Sequence, residues 1–176
     1  MGQNTMNGYH GTSLSQANSI LKTGFRDSCG DDEWLGKGAY FFAHKSHAII
    51  WATTHLNSKY KSQPSVVCAQ LIYNDEQILD IDNPDHHKFL FDFVRYTQEK
   101  SKNSIFADLS NLSHKKQWCL ICNVFKEMYP GIGIIVYTFP YNPKDSSYNN
   151  TVFSQRQRQI CVNNHAIINN PVKEAM

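Results

Sequence analysis

Three separated stretches carry residue types able to do chemistry. The first, Tyr9-His10-Gly11-Thr12-Ser13, places an imidazole, a glycine and a hydroxyl where a short strand gives way to a helix. Glycine lacks a Cβ, so a ligand can approach the backbone closely there, and the first N–H groups of a helix have no internal partner. His10, as a neutral ring, can hydrogen-bond a sugar hydroxyl. The second stretch, Gly36-Lys37-Gly38-Ala39-Tyr40-Phe41-Phe42, supplies aromatic faces. Along a strand Phe41 alternates with Tyr40 and Phe42, so a core-facing Phe41 turns Tyr40 toward a cleft. Trp51, on the helix expected to follow, can oppose Tyr40 across a flat ring; burial in the core is its alternative. The third stretch, residues 155–162, reads QRQRQICV. On a strand Gln155, Gln157 and Gln159 share one face and Arg156 and Arg158 the other; a solvated edge strand is the plain alternative.

The elements that must position these groups can be read in order. Residues 1–7 are polar and expected to fray, and Gly8–Thr12 to end a strand. Ser13 caps a helix with Gln16 three residues on, in the manner of a capping box, and Gly24 closes it as a C-cap. Residues 27–38 form a loop rich in glycine and acid, with Asp31, Asp32 and Glu33 bordering any cleft rather than lining its phosphate end. Ala39–Phe42 is a strand, Lys45–Asn57 a helix and Ser58–Pro64 a linker. Val66–Tyr73 and Gln77–Ile81 are strands, and Asn83 caps a helix that begins with Pro84. Residues 100–113 are loop-like, His114–Met128 is helical, and Ile132–Phe139 reads as a central strand. Tyr141–Asn150 is a loop, Thr151–Val162 contains the next strand, and His165–Ile168 is a last short one. The order predicts one α+β domain over 1–176 with a mixed or antiparallel sheet.

Composition narrows the partners. The 176 residues are 41% hydrophobic and 12% aromatic, enough for one core, and a net charge of +2 gives no bulk case for nucleic acid. No apolar run approaches the ~20 residues of a membrane span. The polar opening and five irregularly spaced cysteines predict a cytoplasmic protein with reduced thiols. Cys119 and Cys122 with His114 suggest zinc, but no second pair exists and the segment reads as an apolar helix, so buried thiols are preferred. His86 and His87 read as solvated, Lys115 and Lys116 as a surface step, and Asp80 and Asp82 as a strand end.

Together these stretches resemble the NAD-binding half of the diphtheria-toxin-like and poly(ADP-ribose)-polymerase-like ADP-ribosyltransferases. Residues 9–51 match in order, with YHGTS, a helix ending in Gly24-Phe25, and LGKGAYFF continued by Ser46, Ala48 and Trp51; a weaker match falls at 155–162. The resemblance implies an ADP-ribosyltransferase-like fold, two small mixed or antiparallel sheets around an NAD⁺ cleft with flanking helices. It implies that His10 binds the adenosine ribose, that Gly11 holds the nicotinamide amide through its backbone, and that Thr12 supports His10. Tyr40 would stack on nicotinamide and Trp51 cover its other face. The family's third position is a glutamate opening Glu-x-x-Val; here Gln159-Ile160-Cys161-Val162 stands there, with no Asp or Glu from Ser146 to Lys173. Glutamine keeps a hydrogen bond to the ribose 2′-hydroxyl but brings neither negative charge nor a base.

The expectation is therefore a mono-ADP-ribosyltransferase using NAD⁺ as co-substrate and no metal, with His10, Tyr40 and Gln159 as catalytic residues. Gln157, Arg156 and Arg158 would meet the acceptor, expected to be RNA or DNA because arginines meet phosphates. Relatives of this kind include toxins of toxin–antitoxin and anti-phage defence systems, which implies an antitoxin protein as partner. The alternatives are a silent NAD or ADP-ribose-binding module, a protein-targeting transferase, and an enzyme stripping a 2′-phosphate from RNA. The last needs two or more arginines converging on a phosphate-sized pocket.

Overall fold

A computed structural model of the chain describes residues 2–56, 63–100, 109–140 and 156–176. Among the described residues seven strands form one sheet: β1 (Gln3–Ser13), β2 (Ala39–Phe42), β3 (Pro64–Asn74), β4 (Ile78–Asp80), β5 (Ile134–Pro140), β6 (Arg156–Val162) and β7 (Ile168–Glu174), in the spatial order β4-β5-β6-β2-β1-β3-β7. Four α-helices of the described residues flank it: α1 (Leu14–Thr23), α2 (Lys45–Trp51), α3 (Pro84–Lys100) and α4 (His114–Met128). The β4–β5 pair is parallel and the other pairings are antiparallel, so the sheet is mixed.

Local sequence accounts for most element ends. Ser13 Oγ accepts the Gln16 N–H at 3.2 Å and starts α1. Gly24, at φ 82°, ends it in a conformation that disfavours side chains, its N–H donating to the Ile20 carbonyl at 2.8 Å. Asn83 Oδ1 accepts the Asp85 N–H at 2.9 Å ahead of α3, and Ser113 Oγ caps α4. After Trp51 the α2 helix widens into a π-helical turn over Ala52–Leu56.

The core divides by sheet face. On one face α1 contributes Ala17 and Ile20 to a cluster with Phe25, Phe41, Val67, Ile134, Val136, Ile160 and Val162. On the other, α3 and α4 bring Leu90, Phe93, Cys122 and Phe125 against Leu35, Leu79, Ile135 and Cys161. Beside that cluster Ala48 of α2 packs with Phe42 and Val66. Full burial of one such side chain stabilises by roughly 1.5–3 kcal/mol, so these clusters, not surface pairs, hold the fold.

Four expectations are corrected here. The two sheets are one: β2 pairs with β6 over Ala39–Phe42 and with β1 through the single register pair Tyr9–Phe42, so the halves join across a narrow bridge. The opening residues do not fray, because Gln3 to Ser13 ladder continuously with Asn74 to Pro64 of β3. His165–Ile167 is a 3₁₀ turn capped by Asn164, and the last strand follows it along β3. Leu109–Asn111 makes a 3₁₀ turn in the segment read as loop. Most of the linker at 58–64, the loop at 141–150 and Gln155 lie outside the described residues.

Gly11 is where helix and sheet come closest. A Cβ there would stand 2.2 Å from the Ala48 carbonyl oxygen. Backbone cannot swing aside as a side chain can, so Gly11→Ala is expected to cost about 1–3 kcal/mol. Urea unfolding checks it: a lower midpoint at unchanged m-value is the expected result.

Candidate functional site

Beyond Tyr9 and Phe42 the strands β1 and β2 share no further register pair. From His10 to Ser13, β1 ladders to β3 alone, leaving its β2-facing edge open. A cleft of about 570 Å³ lies at this parting, a size usual for small-molecule sites. His10 and Gly11 line it from β1, Tyr40 and Phe42 from β2, Trp51 from α2 and Gln159 from β6. The loop after α1 adds Arg26, Asp27, Ser28, Glu33 and Trp34, and α4 adds Lys115.

The imidazole of His10 meets Phe25 and Phe41 edge-on, at centroid separations of 5.5 and 6.1 Å. Its Nδ1 donates to the Tyr40 carbonyl at 2.7 Å across the parting, which leaves Nε2 as the ring's acceptor. Burial lowers its pKa below the ordinary histidine value, the Tyr40 carbonyl only partly offsetting this. At neutral pH the ring is neutral, the form that accepts a hydrogen bond from a hydroxyl.

Tyr40 is fixed from both ends. Its backbone carbonyl holds His10, and its hydroxyl donates to the Gly36 carbonyl at 2.7 Å while accepting the Leu35 N–H at 2.9 Å. Burial first, and Cys161 nearby second, raise the phenol pKa far beyond its usual range. The phenol therefore acts as a flat wall, not as an acid or base. Lys126 of α4, only 9% exposed, secures the same loop: its ammonium donates to the carbonyls of Leu35 at 2.8 Å and Lys37 at 2.7 Å and lies 3.3 Å from Cys161 Sγ. Gly38 has no room for a Cβ, which would fall 2.6 Å from that sulfur.

The other expected residues divide. Trp51, 41% exposed, stands 6.1 Å from the Phe42 ring, at the cleft rather than in the core. Gly11 lines the cleft, yet its lack of a side chain is already required by Ala48. Thr12 is 6% exposed and does not line the cleft; the hydrogen bond that orients His10 comes from Tyr40 instead. Gln159 lines the cleft, whereas Gln157, 8% exposed, does not. Arg158 is on the opposite sheet face, bonded to Asp80 at 2.8 Å and to Asp82, whose carboxylate also takes Thr138. These bonds tie β6 to the β4–α3 connection. Arg156 is exposed and shares that face by strand alternation.

Several surroundings were missed. Arg26 and Glu33 line the cleft without any ion pair among the described residues. Lys115 and Lys116, read as surface, tether the acidic loop to α4 by bonds to Asp32 at 3.3 Å and Asp31 at 2.7 Å. His86 accepts the Asp80 N–H at 3.0 Å and His87 stacks on Phe91, so neither is merely solvated. The only signal in the sequence for Lys126 was a cation inside an otherwise apolar helix face. Cys119 and Cys122 are buried free thiols, the latter pushed up to about 12 by burial. Among the described residues there is no group of His, Cys, Asp or Glu able to hold a metal ion, and no helix long and apolar enough to cross a membrane.

No protein-family model matches the chain. It is similar to an uncharacterized protein of Methanocaldococcus jannaschii, MJ0359, at 32% identity over 89 residues. The match covers 49% of this chain and 41% of that relative, so the similarity spans under half of either.

A histidine whose folded pKa lies below its unfolded value binds fewer protons when folded, so its contribution to stability is whole above about 6.5 and declines as pH falls toward the folded pKa. His47, also held down by burial, adds to that decline. His10→Gln is expected to flatten part of the loss between neutral pH and pH ~5; melting temperatures of both proteins across that range test it. Tyr40→Phe leaves the Leu35 N–H and the Gly36 carbonyl without their phenol partner, at a cost of about 1–3 kcal/mol. Denaturant titration would read this directly.

Proposed function

We propose that this chain is a mono-ADP-ribosyltransferase with an ADP-ribosyltransferase-like fold, binding NAD⁺ in the cleft between β1 and β2 and transferring ADP-ribose to one macromolecular acceptor. One observation supports the reading above the others: His10, Gly11, Tyr40, Trp51 and Gln159, from the four elements β1, β2, α2 and β6, line a single cleft. They are the residues on which the family resemblance rests. In this reading Nε2 of His10 accepts an adenosine-ribose hydroxyl, the Tyr40 and Trp51 rings flank nicotinamide, and the Gln159 carboxamide meets the nicotinamide-ribose hydroxyl.

The chemistry suits such a site. Breaking the C1′–N bond releases neutral nicotinamide and leaves positive charge on the ribose, so the leaving group needs no Lewis acid. Positioning and preorganised dipoles carry most of the barrier lowering. Positive charge at the cleft comes from Arg26 and Lys115, able to meet the NAD⁺ diphosphate or the phosphates of a nucleic-acid acceptor. A toxin role with a protein antitoxin rests on the resemblance alone. A 2′-phosphate-stripping reaction loses ground, since Arg26 is the one arginine of the described lining.

A second reading, a silent NAD or ADP-ribose-binding module, is favoured by the carboxamide of Gln159 where a carboxylate belongs. Incubation with NAD⁺, with and without cellular RNA, DNA and protein, separates the two. Free nicotinamide is expected from the wild type. His10→Ala and Tyr40→Ala are each expected to lower its release by about a hundredfold or more. Binding without release supports the module; no binding refutes both. Mass spectrometry of the acceptor pools, seeking an added ADP-ribose, identifies the acceptor.

A further inference from the structure

The proposed reaction needs a group to take the acceptor's proton, and neither Gln159 nor the pinned phenol of Tyr40 can do so. Two carboxylates line the cleft, Asp27 and Glu33. Asp27 is bonded to His165 at 2.9 Å. The neighbouring acids are also committed, Asp31 to Lys116 and Asp32 to Lys115. The ion pairs of the described residues leave Glu33 out.

The place of Glu33 in the cleft can be fixed from its neighbours. Its carbonyl accepts the Gly36 N–H at 3.1 Å, closing a turn over residues 33–36. The Tyr40 hydroxyl is bonded to Leu35 and Gly36 of that same turn. Lys126 holds it from behind through Leu35 and Lys37. Glu33 is therefore anchored at the Tyr40 end of the cleft, close enough for its charge to raise the phenol pKa. In the proposed function that is the nicotinamide end, where bonds break. We propose that Glu33 is the general base of this transferase, a carboxylate supplied by the loop before β2 in place of the one missing from β6.

The step balances simply. The C1′–N bond breaks and its electron pair leaves with nicotinamide. An acceptor hydroxyl forms the new C1′–O bond, and its proton passes to the Glu33 carboxylate and then to water. Burial raises the Glu33 carboxyl above the ordinary glutamate value, partly opposed by Lys115, which suits a base better than a fully solvated acid. Its negative charge also faces the cationic sugar.

The inference rests on the proposed function, and the experiment keeps the two apart. Wild type, Glu33→Gln, Glu33→Asp and the control Asp92→Asn, at an acid of α3 outside the cleft lining, are compared for NAD⁺ binding by calorimetry and for nicotinamide release and transfer across pH. In the expected result Glu33→Gln folds, binds NAD⁺ within about threefold of wild type and loses about a hundredfold or more in kcat. The acid limb of the rate profile, displaced upward from the ordinary glutamate value, disappears with it. Glu33→Asp retains that limb at lower kcat, and Asp92→Asn matches wild type. Gln159→Glu added to Glu33→Gln restores part of the rate by returning a carboxylate to β6.

An active Glu33→Gln variant with kcat within about threefold and the acid limb intact overturns the role of Glu33 while leaving the transferase standing. Should Glu33→Gln fail to fold, loss of the acid limb in Glu33→Asp overturns it equally. A wild type that neither binds nor cleaves NAD⁺ refutes the function itself. Binding without turnover for any acceptor refutes the base.

Discussion

β1 and β2 meet through Tyr9 and Phe42 and then part. Everything about the candidate site follows from how that parting is kept open without the sheet coming in two. On one side β1 is secured by a ladder with β3 running its whole length; on the other, β2 is secured to β6 along all of its own. Each strand keeps one satisfied edge, so the unpaired edges between them can face a ligand or water instead of each other. The His10–Tyr40 hydrogen bond spans the gap at its narrow end, and Ala48 of α2 closes tightly over Gly11.

The second constraint is the setting of the loop before β2. Loops tolerate change and move more than the elements they join, yet this one forms a wall of the cleft. The Tyr40 hydroxyl and the Lys126 ammonium bind four backbone groups within residues 35–37. An ammonium so far from solvent is costly unless its donors are occupied; here two carbonyls and the Cys161 sulfur occupy them. Lys126 is thus a structural cation whose effect reaches Tyr40 and Glu33 through the backbone they share.

Charge is partitioned by face. Asp80, Asp82 and Arg158 form a half-buried cluster on the side away from the cleft, binding the β6 strand to the end of β4. Asp27, Asp31 and Asp32 of the 27–38 loop are paired with His165, Lys116 and Lys115. Exposed pairs of this kind add little to stability, so their larger consequence is orientation: among the described residues they leave Arg26 and Glu33 as the charges of the cleft lining outside any ion pair.

The amino-acid sequence by itself determined the local pieces. Ser13, Gly24 and Asn83-Pro84 end or begin helices because capping acts within three or four residues. The strands Pro64–Asn74 and Ile134–Pro140 fall on the apolar, β-rich runs at 66–73 and 132–139, because β-propensity acts between neighbours. The same local signals drew attention to His10, Tyr40, Trp51 and Gln159, and the absence of acid around Gln159 is a fact of the sequence alone. Tertiary structure decided what joins distant segments. That β2 bridges two half-sheets depends on pairing Phe42 with Tyr9 and Gln159, and that Arg158 faces Asp80 depends on a partner 78 residues away. That Lys126 is buried and Glu33 lies beside Tyr40 depends on how α4 packs over the loop. No period or cap encodes such neighbours, because the energy that selects them comes from burial and pairing realised only when the whole sheet has closed.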